Sequence, residues 1–145
     1  MSDFNEDDLN LSSGIAAFEA KHFGRAAQLL SPLAEQGNPE AQYRMAVIQQ
    51  NGLLGAPHPD EAYRLMKAAA EAGHALAQHG LGFMYMEGEC TEQNAAEAVK
   101  WFQLAADQGL AGSLTTLAMM YQEGRGVERN DAEAKRLYKL AGFDM

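Results

Sequence analysis

The apolar positions of this chain recur with the spacing of one helix face, and that pattern itself recurs. Ala62, Leu65, Met66, Ala69 and Ala70 follow the i, i+3, i+4, i+7 stripe of a helix packed on one side. Ala98, Trp101, Phe102, Ala105 and Ala106 repeat it 36 residues later, and Ala134, Leu137, Tyr138 and Ala141 repeat it again. Ahead of each stripe lies another seam: Ala41, Met45 and Ile48; Ala77, Leu81, Met84 and Tyr85; Leu117, Met120 and Tyr121. These predict first helices over about residues 38–51, 74–87 and 110–123, each followed by a second helix.

The turns repeat at the same lag, with Gly37, Gly73 and Gly109 in one series and Gly52, Gly88 and Gly124 in another. Glycine just past a last helical turn supplies positive φ at low cost. Ala46, Gly82 and Ala118 predict close approach of a neighbouring helix. Second helices open on Asn94-x-x-Glu97 and Asn130-x-x-Glu133, a pattern for reciprocal capping, while Pro59 suits a first helical position. Upstream, Gly14 and Ala26 take the parts of Ala46 and Ala62, but lie 12 residues apart where the later pairs lie 16 apart, so the first inter-helix loop is four residues shorter. The expected fold is all-α, a solenoid of four antiparallel helix pairs at about 9–37, 38–73, 74–109 and 110–142, in one domain over 9–145. Residues 1–8, acidic and poor in apolar groups, are expected to be a disordered lead-in.

Composition narrows the function. A formal net charge of −9 opposes binding to nucleic acid and anionic membranes. The single cysteine, Cys90, forbids an internal disulfide and points to a reducing cytoplasm. No stretch reaches transmembrane length, and the first residues lack the basic and apolar runs of a signal peptide. His22, His58, His74 and His79 show no metal-ligand spacing, and Cys90 has no orienting partners for nucleophilic chemistry. Gly80-Leu-Gly82 and Gly124-Arg-Gly126 lack the strand and the lysine of a phosphate loop. No cofactor and no enzymatic activity are expected.

The segment Leu117-Ala118-Met119-Met120-Tyr121-Gln122-Glu123-Gly124-Arg125-Gly126-Val127, followed by Asn130-Asp131 and Ala134, resembles the Sel-1-like repeat family, a branch of the tetratricopeptide-type helical repeats. Trp101 to Gly109 is similar to the same family's aromatic, Ala-Ala, acidic, Gln-Gly segment. The resemblance covers about residues 14–142, and the first pair looks more like an ordinary tetratricopeptide repeat. It implies a right-handed superhelix whose concave side binds peptides or protein partners, and it does not imply catalysis. Two departures stand out: Cys90 and Leu54 occupy the place of Gly126 in the earlier periods, so the loops after Gly88 and Gly52 are expected to differ from the one after Gly124 if Gly126 needs positive φ.

Opposite the packing seam, the first helices carry a second stripe with no charge. It comprises Leu11, Ile15 and Phe18; Tyr43, Val47 and Gln50; His79, Phe83 and Met86; Thr115, Met119 and Gln122. A solvated face carries charge, so an uncharged stripe is either an exposed interaction surface or core buried by tight curvature. The first reading makes the protein an adaptor that captures a peptide or amphipathic segment of another protein. The alternative is a structural subunit that self-associates or sits in a permanent complex. The end of the chain, Leu140-Ala-Gly-Phe143-Asp-Met145, leaves the face of the last helix to be covered either by Phe143 or by a second copy in a homodimer.

Overall fold

The structure is a computed structural model that describes residues 5–144. Among them the only regular elements are helices: α1 (Glu6–Glu19), α2 (Phe23–Glu35), α3 (Pro39–Asn51), α4 (Pro59–Glu71), α5 (Ala75–Glu87), α6 (Ala95–Asp107), α7 (Ala111–Glu123) and α8 (Asp131–Leu140). They fall into two compact units, one holding α1 to α4 and the other α5 to α8, dividing after Ala72. Within each unit every helix packs on the next in chain order. The loop joining α1 to α2 is three residues, 20–22, against seven between α3 and α4, α5 and α6, and α7 and α8.

Helix α1 begins earlier than the acidic lead-in suggested. Asn5 caps it, its side-chain oxygen accepting from the amides of Asp7 and Asp8 at 2.9 and 3.3 Å. Glu6, Asp7 and Asp8 therefore lie in the first turn, where the free amides favour negative charge. The remainder of the expected disordered segment, residues 1–4, lies outside the described residues.

Each long loop closes in the same way. Gly52, Gly88 and Gly124 take φ of 61°, 69° and 68°, turning the chain out of the first helix. The loop then comes back, and the amides of His58, Asn94 and Asn130 donate to the carbonyls of Gln49, Tyr85 and Tyr121 at 2.9, 2.8 and 2.9 Å. This corrects the reciprocal capping expected of Glu97 and Glu133, and Glu61 follows the same pattern. The Asn94 and Asn130 side chains do cap, accepting from the amides of Glu97 and Glu133 at 3.0 Å. The amide that each glutamate would reach is already bonded to the preceding helix. The glutamates instead pair along their own helices with Arg64, Lys100 and Arg136.

The seams predicted from the pattern form the cores. In the second unit Phe102 and Leu117 are fully buried, clustered with Ala98, Ala118, Met120 and Leu137. Burying a ring of that size contributes about 2–3 kcal/mol. Gly82 makes the packing possible, since a Cβ there would lie 2.8 Å from the Phe102 ring.

The loop after Gly88 departs from expectation. Cys90 adopts φ 66°, nearly the 76° of Gly126, so the two loops share a conformation despite the side chain. In the α3–α4 loop the second residue with positive φ is Gly55, at 134°, rather than Leu54. A left-handed conformation strains a residue that carries a Cβ. Cys90→Gly is accordingly expected to raise stability by about 1 kcal/mol. Gly126→Ala is expected to cost at least about 2 kcal/mol, because its Cβ would also press on the Ala95 carbonyl. Urea midpoints followed by far-UV circular dichroism check both.

Candidate functional site

The uncharged stripe meets a different fate in each unit. In the first unit Leu11, Ile15, Phe18, Tyr43, Val47 and Gln50 are all half-buried. Phe18 is covered edge-on by Phe23 at 5.7 Å and by the Arg44 guanidinium, 4.9 Å above its ring. Arg44 reaches from α3 to Glu19 on α1 at 2.8 Å and pairs with Glu40 on its own helix at 3.0 Å. Its side chain is only 14% exposed; burial works against the charged guanidinium, but hydrogen bonds and charge from the two carboxylates together outweigh it and raise its pKa above the ordinary value. Arg44 thus plugs the space between α1 and α3, and burial pushes the neighbouring Tyr43 hydroxyl above its ordinary pKa.

In the second unit the corresponding space is open. A cavity of about 230 Å³ is lined by Phe83, Met86 and Glu87 of α5, by Thr116, Met119, Met120 and Glu123 of α7, and by Arg125 of the following loop. Thr116 stands 72 residues, two repeats, after Arg44. A short side chain occupies the position from which the long one plugs the first unit. Phe83 and Met119 are 37% and 45% exposed, and Gln122 is also exposed. Met86 corrects the expectation of an open stripe: at 7% exposure it joins the core cluster with Phe102 and Leu117 and forms the pocket floor. Its carbonyl, left free in the last turn of α5, accepts from Gln93 Nε2 and Arg125 Nη2, both at 2.9 Å.

Phe83, one wall of the site, is backed by His79. Its ring lies edge-on to Phe83 at 4.9 Å and to Phe102 at 5.5 Å. Nδ1 shares a 2.6 Å hydrogen bond with Ser113 Oγ, which is wholly buried, and Thr115 lies half-buried two residues on. His79 is therefore a half-buried packing residue rather than a surface polar group. His74 serves as a helix cap, its Nδ1 accepting from the Ala77 amide at 3.1 Å. A buried serine bonded to a histidine has the atoms of a nucleophile pair, but no substrate atom can reach it. Among the described residues no group of three His, Cys, Asp or Glu side chains is placed to hold a metal ion. No described helix is long and apolar enough to cross a membrane.

Of the cavity's lining residues, Phe83, Met86 and Met119 lie on the stripe expected from the sequence, whereas Thr116, Glu87, Glu123, Arg125 and the plug Arg44 in the first unit do not. Thr116 and Arg44 share one repeat position, and the contrast between them was the readable signal. At the far end of the unit, Phe143 folds edge-on against Tyr138 at 5.6 Å, and Tyr138 donates its hydroxyl to Gln122 at 3.2 Å.

Comparison with known proteins agrees with this geometry. The model of the Sel1 repeat matches three successive segments, residues 39–74, 75–110 and 113–142, more than half of the chain. Among solved structures, a Sel1 repeat protein from Oxalobacter formigenes is 33% identical with a TM-score of 0.85, over 90% of this chain and 54% of that one. A protective antigen present in uropathogenic Escherichia coli strains, displaying an SLR fold, is 34% identical with a TM-score of 0.87, over 94% of this chain and 30% of that one. This chain thus spans about half of one and less than a third of the other. A search of curated proteins finds no match.

Burial holds the His79 pKa below its ordinary 6.5. The unfolded chain therefore binds the proton more readily than the folded one. Stability should be level well above pH 6.5 and fall as the pH drops below that value toward the folded pKa. In urea titrations across pH, His79→Asn should flatten this part of the profile. Ser113→Ala, which strips His79 of its buried partner, should cost about 1–2 kcal/mol at neutral pH.

Proposed function

Because the chain belongs to the Sel1 repeat family, whose repeats are generally non-catalytic scaffolds for protein interaction, we propose that it is an adaptor that holds a segment of another protein against α5 and α7. The observation that carries this is the pocket itself. Phe83 and Met119 stand exposed around a cavity of about 230 Å³ with a buried methionine as its floor, room enough for one large aliphatic side chain of a partner. Methionine adds adaptability, since its flexible thioether fits irregular apolar shapes. A peptide or amphipathic helix docks by inserting such an anchor, and the half-buried positions along α5 and α7 make the surrounding contacts. A lone thiol at Cys90 suits a reducing compartment, and the cytoplasm is the proposed location.

The second reading, self-association, draws on Leu104 and Leu140, which occupy the same repeat position on α6 and α8 and are 45% and 60% exposed. Light scattering over a concentration series separates the two readings, a constant monomer mass favouring the adaptor.

The test is affinity for a partner recovered by cross-linking in cells and identified by mass spectrometry. Met119→Asp places a charge at the pocket mouth on an exposed position and should weaken binding by about tenfold or more. Leu54→Asp, on a loop of the first unit and also exposed, should leave affinity unchanged. Equal affinity of Met119→Asp and the unmodified protein would remove the pocket from the interaction.

A further inference from the structure

The mouth of the pocket has a charge as well as a shape. Helices α5 and α7 end on Glu87 and Glu123, which both line the cavity and are both exposed. Neither forms an ion pair among the described residues, and neither helix has a basic residue in its last turn. Each carboxylate therefore adds to the negative end of its helix's dipole. Arg125, the one cation among the described residues that line the pocket, is partly committed through Nη2 to the Met86 carbonyl at 2.9 Å. Two carboxylates and two helix ends outweigh it.

From this geometry we infer that the occupant is a basic amphipathic segment, with a Leu, Ile or Met side chain in the pocket and a Lys or Arg within the next turn reaching Glu87 and Glu123. The inference rests on the adaptor reading and specifies its partner. A second copy of this chain, with 20 acidic against 11 basic residues, carries the same sign of net charge and is repelled as a whole. An acidic or phosphorylated peptide is repelled by the same field. Apolar contact supplies the anchor, and the charge selects which anchor-bearing segments stay bound.

The experiment is selection of a random short-peptide display library on the full chain, followed by affinity measurement of the enriched peptides. The expected peptides carry an aliphatic or Met residue with Lys or Arg three or four positions away. The Glu87→Gln, Glu123→Gln double variant should bind them about five- to tenfold more weakly, and added salt should weaken them in the same direction. Met119→Asp should abolish their binding. Thr116→Arg, which transplants the Arg44 plug into this pocket, should do the same, and it serves if circular dichroism shows Met119→Asp to have lost its helices.

Enriched peptides that are neutral or acidic, yet still lost on plugging the pocket, would overturn the charge inference and leave the adaptor reading standing. Basic peptides indifferent to the Glu87 and Glu123 substitutions would do likewise. Peptides that bind the plugged variant as well as the original overturn both.

Discussion

Each long helix pair is closed by a loop that turns out of one helix through a left-handed glycine and then hydrogen-bonds back to it. Gly52, Gly88 and Gly124 make the turn, and the amides of His58, Asn94 and Asn130 return to the carbonyls of Gln49, Tyr85 and Tyr121. Those amides would otherwise be free donors at the start of the second helix, and the carbonyls free acceptors near the end of the first. One bond satisfies both ends and fixes where the second helix begins relative to the first. Once that is fixed, the seams meet, Phe102 lies against Gly82, and the opposite face of each first helix is turned away from its partner.

On so regular a frame, local differences decide what each unit can do. Arg44 spans from α3 to Glu19 of α1 and covers Phe18, so the first unit presents an ion pair where the second presents a cavity. Thr116 at the matching position leaves Met86 and Met119 around open space. The contrast concerns one side chain length at one repeat position, and it converts a packing surface into a site. His79 lends that site rigidity, because its hydrogen bond to buried Ser113 and its edge contact with Phe83 hold the ring that forms the wall.

Most of the architecture was legible in the sequence because repetition multiplies weak signals. A glycine at one position means little, whereas a glycine at Gly52, Gly88 and Gly124 locates three helix ends, and the buried seams follow from helical spacing. What was not legible depended on contacts distant in sequence. The glutamates at 97 and 133 suggested reciprocal caps because the pattern could not reveal that the loop amides were already taken. Cys90 was judged by residue type alone, yet the loop geometry holds it left-handed where glycine stands one period later. Met86 and Phe83 belong to one stripe by spacing, but packing against Phe102 and Leu117 buries the first while the second stays partly exposed. The pocket combines two helices and a loop, and only their juxtaposition shows it.

The central claim is that the partner enters the pocket between α5 and α7. Methionine methyl resonances test it directly, because Met86, Met119 and Met120 line that pocket while Met45 and Met66 are buried in the core of the first unit. Titration of a ¹³C-methyl-methionine sample with the partner segment should shift Met119 and Met86 and leave Met45 and Met66 in place. Saturable shifts at Met45 or Met66 with Met119 unmoved would contradict the account.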